Sequence, residues 1–393
     1  MSAPVRPRIS GPWSALLAGP LSFGIAGPAL ILPDAAAELG TTTAAVTWIV
    51  TAFGWGIAVG TPLLAGLQSH RGVRTALLTC TALVLAGAVA VVTAAWLPVL
   101  VAGSALQGLG TAGFTTTAMS LAGSARVMGL VTSSLAVVGS ASPLIGDLVG
   151  DALGWQVALA LPALSLLAVP AALRSAPGTP AGTPAGPPRF DLIGALLVTA
   201  LVTALVFVPH SWLPAGGAVL VVAVLLARHL RSEPDGFVPA ALLRTPVFLI
   251  ASGLAFALAV ANFGLMYVLP PRLTDQSGWT SGEVGFAILW PMLFGGLMSY
   301  AVVAVTAKTP FRALVVLFPV LAAGGLVLAG VSVAPAVLLI AQALTSVAAA
   351  SGQGVYAVRA GAAADPHRAP AMGLFNLTYL LGAAFGPAIA ALL

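Results

Sequence analysis

Apolar residues run along this chain in blocks of about twenty, broken by short segments rich in glycine, proline and isolated charges. Thirteen such blocks can be marked, at roughly 13–33, 45–68, 76–96, 98–122, 128–149, 155–173, 191–209, 215–231, 247–269, 283–306, 312–330, 333–357 and 370–393. Ala76–Trp96, Trp155–Leu173 and Phe248–Leu269 contain no charged residue at all. A helix of about twenty residues crosses the hydrocarbon core of a bilayer. In lipid every backbone N–H and C=O must be paired within the protein, so repeated blocks of this length predict helices. The pattern therefore predicts an all-α polytopic membrane protein of about thirteen spans. The eighth block, Ala215–Arg231, is the shortest.

The charges orient the bundle. Only 6% of residues are Asp, Glu, Lys or Arg, and the mean hydropathy is +1.07. With the N-terminus in the cytoplasm, fourteen of the fifteen basic residues fall in cytoplasmic segments, from Arg6 and Arg8 to Arg359 and Arg368, and only Arg272 falls outside. Basic residues accumulate on the cytoplasmic side of membrane proteins. Adding or removing one span before residue 300 would scatter them over both faces. The outer segments carry Asp34, Glu38, Asp151, Asp275 and Glu283 instead. This distribution accounts for the pI near 10.1 without nucleic acid as a partner. The single cysteine, Cys80, lies inside a span and excludes a disulfide or a cysteine-based metal site within one chain. The first block has no small-residue cleavage site after it and reads as a helix, not a signal peptide.

Between the sixth and seventh blocks, Ser175–Pro188 reads SAPGTPAGTPAGPP, an aperiodic tract that behaves as an extended cytoplasmic tether. A weak repeat runs across it. Met128-Gly129-Leu130 opens the fifth block and Met372-Gly373-Leu374 the thirteenth, and Ser142-Pro143 is echoed at the same spacing by Gly386-Pro387. Duplicated halves of helices are a signature of transporters that rock about a site between them.

Four local patterns resemble the major facilitator superfamily, and within it the drug:proton antiporters of fourteen spans. Leu32-Pro33-Asp34 followed by AVTWIVT (Ala45–Thr51) resembles the join of that family's first two helices. Leu106-Gln107-Gly108-Leu109-Gly110 resembles its fourth-helix motif, and Gly139, Ser142-Pro143 and Gly146 its fifth-helix antiporter motif. Phe190-Asp191-Leu192-Ile193-Gly194, then Pro239, Leu243-Arg244 and Phe248, resembles the start of the additional helix pair and the helix after it. The resemblance implies a two-bundle fold: a six-helix bundle (1–174), a cytoplasmic linker (175–190), two additional helices (191–231) and a second bundle (232–393) with five visible helices. It also implies residence in the plasma membrane, with no cofactor. The chain ends at Leu393, where the final helix of the resembled family begins; thirteen spans with an outside C-terminus and a shortened chain both remain open.

Three positions depart from that family. Its first-helix acid and fourth-helix arginine, which often serve proton coupling, align with Gly24 and Ser104. The loop after the second helix reads Ser69-His70-Arg71-Gly72-Val73-Arg74 where the family carries an Asp-Arg-x-Gly-Arg latch. Arg71, Gly72 and Arg74 are thus either a surviving gate or an anchor at the lipid headgroups.

Polar residues inside the blocks supply the remaining candidates, because an ionisable group at mid-bilayer costs about 2.5–3.5 kcal/mol on insertion scales. Asp147, one turn beyond Pro143, is the one such acid in the N-terminal bundle: either a proton carrier or a residue reaching the outer interface beside Asp151. Arg272 and Glu283 flank one outer segment as a structural ion pair or a coupling pair. His70, His210, His229 and His367 all lie at block edges, so no buried histidine relay is expected. For a substrate pocket, Trp48, Thr51 and Trp55 share one helical face, as do Ser104, Gln107 and Thr111. Asn262, Tyr267, Trp290, Asn376 and Tyr379 follow in later spans, beside Gln342 and Gln353. Such a set suits an uncharged or amphipathic ligand; each member also fits helix–helix hydrogen bonding or an interfacial aromatic. Gly139, Pro143, Gly146, Gly386 and Pro387 would let helices approach and bend.

No phosphate loop, HExxH, GxSxG or Cys/His cluster occurs, which excludes the common enzyme classes and ATP-driven transport by this chain. Three readings follow: a proton-coupled exporter of a small hydrophobic or amphipathic compound, an uncoupled facilitator or lipid/metabolite carrier, and a degenerate transporter serving as a partner protein. The expected partners are the lipid bilayer, a hydrophobic small molecule and protons.

Overall fold

In the computed structural model of this chain, residues 9–29, 31–176, 191–208, 211–279 and 281–390 are described. His210, Phe190, nearly all of the Pro/Gly linker and the last three residues lie outside them. All regular structure among the described residues is helical. The helices are α1 (Gly11–Ala18), α2 (Leu21–Ala26), α3 (Leu32–Glu38), α4 (Thr43–Thr93), α5 (Leu97–Leu121), α6 (Ala125–Leu153), α7 (Trp155–Leu159), α8 (Val169–Ser175), α9 (Leu192–Phe207), α10 (Trp212–Ser232), α11 (Pro246–Ser277), α12 (Ser281–Val305), α13 (Phe311–Val331), α14 (Pro335–Ala363) and α15 (Arg368–Ala390).

Nine of these, among the described residues, are long and apolar enough to cross a membrane. The difference from thirteen has local causes. The 51-residue α4 holds two spans joined at Gly72, whose φ of 83° and ψ of 167° break the helical path. That left-handed φ favours glycine, so Gly72 makes the reversal between the second and third spans. The first span is divided into α1, α2 and a 3₁₀ turn at Gly27–Ala29, with Pro20 and Pro28 at its breaks. The sixth passes through α7, a 3₁₀ segment Leu161–Ala168 and α8, which carry Pro162 and Pro170 in their first turns. Proline removes a backbone donor and clashes with the preceding turn, so an apolar run rich in proline bends or breaks. The seventh, α9, is apolar but only 16 residues long. The first span also stops earlier than its hydrophobicity suggests, and Leu32–Glu38 forms the separate α3. There Glu38 accepts hydrogen bonds from Trp155 Nε1 (2.6 Å) and Gln156 Nε2 (3.3 Å), tying α3 to the sixth span.

α1–α8 pack among themselves, as do α11–α15, and the two groups are called halves below. In each half the helix with the repeated MGL start packs on the first helix of its own half through glycine. A Cβ on Gly146 would lie 2.4 Å from the Gly27 carbonyl oxygen, and one on Gly386 would lie 2.7 Å from the Gly264 nitrogen and 2.8 Å from the Val260 oxygen. Small residues allow this approach where apolar burial gives no drive between helices in lipid. Gly139 is less confined, with Ser22 Cβ at 3.6 Å; Ser22 itself donates to the Leu135 carbonyl at 2.8 Å. Pro143 and Pro387 both lie within their helices.

The additional pair, α9 and α10, is held at its cytoplasmic end by Asp191. This carboxylate caps α9 by accepting from the Gly194 N–H (2.8 Å), and it also accepts from the Phe237 N–H (2.9 Å). His229 Nε2 lies 2.8 Å and 2.9 Å from its two oxygens, and the two side chains are only 14% and 11% exposed. His229 therefore sits in a part-buried pair with Asp191 at the end of α10. Burial alone would raise the Asp191 pKa; the N–H groups of Phe237 and Gly194 and the His229 ring outweigh it and lower the value below that of an ordinary aspartate. A depressed carboxyl stabilises the fold in full above the unfolded pKa of about 4, and that contribution disappears as pH falls through the folded value. Asp191→Ala is expected to lose about 1–3 kcal/mol near neutral pH. Thermal unfolding in detergent should show a lower midpoint for the variant at pH 7 and convergence with the parent in strong acid.

Candidate functional site

The two halves meet along two pairs of helices, α6 with α12 and α4 with α15. At the end of the first pair where α6 begins and α12 finishes, the end that the basic residues assign to the cytoplasm, the backbones touch. A Cβ on Gly129 would sit 3.3 Å from the Tyr300 oxygen and from Val303 Cβ, and one on Gly296 would sit 3.0 Å from the Val137 nitrogen. Thr132 and Ser299 bring their hydroxyls to 3.2 Å across the join, and Ser299 donates to the Ala350 carbonyl at 3.1 Å. Five helical turns, about 18 residues, return to the same face. The row that starts at Gly129 thus runs through Ala136 and Ser140 to Asp147, and the row from Val303 runs through Gly296 to Gly285. At Gly285 this close approach has ended. Leu144 and Leu148 beside Asp147 are exposed, and open space lies where a Cβ on Gly285 would point.

The second pair shows the same gradient. A Cβ on Gly373 would be 2.6 Å from Ala65 Cβ and 3.1 Å from the Thr61 oxygen. On the same face of α4 towards the outer side come Ala58, then Gly54 and Thr47, which are exposed; a Cβ on Gly54 would meet nothing within 4 Å. Arg368 adds a charged link across the cytoplasmic join, its Nη2 donating at 2.8 Å to the Ala122 carbonyl at the C-terminal end of α5. A cation at a helix C-terminus is stabilised by the unpaired carbonyls there. One buried apolar cluster contains residues of both halves at this level, among them Met119, Met128, Val303, Tyr356, Met372 and Phe375. Tyr356 anchors it by donating to the Leu314 carbonyl at 2.9 Å. At the outer level the clusters separate, one around Ile31, Ile49, Leu100 and Trp155, the other around Leu265, Leu269, Val284 and Leu338. The halves approach closely at the end that the basic residues assign to the cytoplasm, and at Gly54 and Gly285, towards the opposite end, that close approach is gone.

The sequence candidates distribute unevenly over this arrangement. Asp147 is half-buried towards the C-terminal end of α6. Thr51, bonded to the Thr47 carbonyl at 3.2 Å, lies near the exposed part of the α4 face. Trp55 turns to the additional pair, Nε1 donating to Thr203 Oγ1 of α9 at 3.1 Å, and Trp48 is exposed along that same side. Of the two, Trp55 is the one that meets α9. Ser104, Gln107 and Thr111 are buried inside the N-terminal half. Gln107 Nε2 donates to the Leu159 carbonyl at 3.3 Å, joining α5 to the sixth span. Its counterpart in the other half is Gln342, which donates to Asn262 Oδ1 at 3.0 Å and joins α14 to α11. Both glutamines keep a buried carbonyl oxygen without a hydrogen-bond partner. Asn376 is buried on α15, and Tyr379 meets Phe263 edge-on with ring centroids 6.4 Å apart. Tyr267 is exposed. Trp290 belongs to an exposed stripe, Phe286, Trp290, Phe294, Leu297 and Val305, that runs the whole length of α12 and continues past the packed end, as a lipid-facing side does.

Arg272 donates to the Ala329 carbonyl of α13 at 2.7 Å, so its charge serves a helix end. Glu283 is exposed in the first turn of α12. Arg71 and Arg74 are exposed on either side of Gly72. The place of the coupling acid in the resembled family is filled: a Cβ on Gly24 would lie 2.1 Å from the Phe53 ring. The pattern of apolar blocks carried no sign of the Asp191 cluster as a site, although an Asp directly before an apolar run is a helix-cap signal.

No curated protein matches the chain in sequence. Among solved structures, the human organic anion transporter MFSD10 (TETRAN) shares the fold, with a TM-score of 0.64 and 18% identity over 99% of this chain and 94% of that one. The Major Facilitator Superfamily family matches residues 13–258, well over half of the chain. This protein belongs to the major facilitator superfamily, whose members are membrane transporters and not enzymes.

Proposed function

We propose that the protein is a secondary exporter of the fourteen-span drug:proton antiporter type, moving a small hydrophobic or amphipathic compound across the plasma membrane by alternating access in exchange for protons. One observation supports this reading: the paired helices of the two halves approach closely at Gly129, Gly296 and Gly373, and no longer do so at Gly54 and Gly285, towards the end that the charge distribution makes the outer one. A transporter that rocks about a central site has this geometry in its outward-facing state. An organic anion, the cargo named for the human neighbour, suits the opening less well, because Asp147 would repel it.

A second reading, an uncoupled facilitator of the same fold, is favoured by Phe53 in the place of the usual acid and by the burial of Ser104 within one half. Proteoliposomes separate the two. With the cytoplasmic face outward and an acidic lumen, the antiporter accumulates a lipophilic dye, and adding dye makes the lumen more alkaline. Dye counterflow that proceeds equally without a pH gradient, with no change in lumenal pH, selects the facilitator and overturns proton exchange.

A further inference from the structure

The additional pair lies beside one of the two joins between the halves, and its attachments are unequal. α9 enters an apolar cluster with Ala58 and Val59 of α4 on one side and Leu377 of α15 on the other, with Leu374 and Leu381 partly buried beside it. Towards α4 the attachments are specific at two levels. Trp55 Nε1 is bonded to Thr203 Oγ1 at 3.1 Å. Nearer the cytoplasm the Phe237 ring fills a notch at Gly66, where a Cβ would be 2.3 Å from the ring. Phe237 is in turn fixed to the pair through Asp191, whose oxygens hold the Gly194 and Phe237 N–H groups and His229. Gly194 and Gly236 are both filled by this carboxylate, with Asp191 Oδ2 2.2 Å and 2.4 Å from where their Cβ atoms would be. The contacts with α15 are aliphatic side chains, which slide past one another at little cost in direction-dependent bonding. Gly66 also adjoins Ala65, the residue that meets Gly373 in the cytoplasmic seal.

We infer that α9 and α10 are a strap fixed to α4, which travels with the N-terminal half and slides over α15, closing the α4–α15 join to lipid, while among the described residues the α6–α12 join carries no such cover. This rests on the alternating-access reading above. It adds a prediction about which contacts persist through the cycle: α9 keeps its place on α4 and changes its place on α15.

The test uses two cysteine pairs in a Cys80→Ala background, joined by a short bifunctional thiol reagent. Trp55→Cys with Thr203→Cys links α9 to α4; Val198→Cys with Leu377→Cys links α9 to α15. Dye transport after cross-linking, measured against the same variant before linking, should stay within about twofold for the first pair and fall more than about tenfold for the second, returning on reduction of a cleavable linker. Equal tolerance of both links, or loss with the α4 link alone, overturns the strap. A readout independent of transport accompanies it, the rate at which an impermeant reagent of orthogonal chemistry modifies an unnatural side chain at position 285. The α15 link should hold that rate at one value whatever the pH and dye concentration, while the α4 link leaves it responsive. If no variant, linked or unlinked, transports dye, the transport reading fails, and the labelling still decides the strap.

Discussion

Asp147→Asn is expected to abolish proton-driven export while leaving dye counterflow in place. Asp147 lies in line with Gly129, Ala136 and Ser140 on the face of α6 that meets the other half, but towards its outer end. It is half-buried in this conformation, and rocking that closes the outer end would press the same face against α12. A carboxyl that gains a proton from the outer side and releases it on the cytoplasmic side carries one charge through the membrane potential. That supplies about 2.3 kcal/mol per 100 mV, enough for roughly a fifty-fold gradient of an uncharged compound. Asparagine preserves shape and hydrogen bonding but carries no proton. A variant with wild-type counterflow and no response to a pH gradient identifies Asp147 as the carrier; unchanged pH-driven transport removes it from the mechanism.

Gly373→Leu should arrest the cycle without unfolding the protein. A Cβ here already lies 2.6 Å from Ala65 Cβ, and the remainder of a leucine side chain would have to occupy the α4 helix itself. Overpacking of this kind costs about 1–3 kcal/mol in a closed core. Here the strain has an outlet, because Gly373 lies between the halves: separating them at the cytoplasmic end relieves it. A shift of about 2–3 kcal/mol between two states changes their ratio by roughly 30- to 150-fold. The variant should therefore populate the inward-facing state, with transport reduced at least tenfold and a near-normal unfolding midpoint. Gly146 is the contrast. Its close contact with the Gly27 oxygen lies within one half, so rocking relieves nothing there, and a bulky residue at that position should lower the unfolding midpoint itself.

The fold was legible where hydrophobicity and charge act over twenty residues. Uncharged blocks marked the spans, and Arg71 and Arg74 around Gly72 marked the reversal inside what is otherwise a 51-residue helix. Breaks within blocks were harder to read. Pro20, Pro28, Pro162 and Pro170 sit in runs as hydrophobic as any other, and a proline inside an apolar run can bend, break or begin a helix. The site was legible in part for a similar reason. Periodicity placed Trp48 and Trp55 on one face, as it does any residues seven apart, but what covers a face depends on a helix about 150 positions later in the chain, here bonded through Thr203. Gln107 and Gln342 were visible as polar residues in apolar helices; their use within each half became apparent only from their partners, Leu159 and Asn262. Gly24 was legible as a missing acid, and the structure adds that the Phe53 ring occupies the place a Cβ there would take.

The central claim is that the two halves close at one end and part at the other. In a Cys80→Ala background, single cysteines at Gly54, Gly285 and Ser299 sample the two open walls and the packed join. A membrane-impermeant thiol reagent applied from outside should modify Gly54→Cys and Gly285→Cys at least about tenfold faster than Ser299→Cys, and adding Gly373→Leu should slow both outer positions. Equal reactivity at all three positions, or modification of positions 54 and 285 only from the cytoplasmic side, would contradict the account.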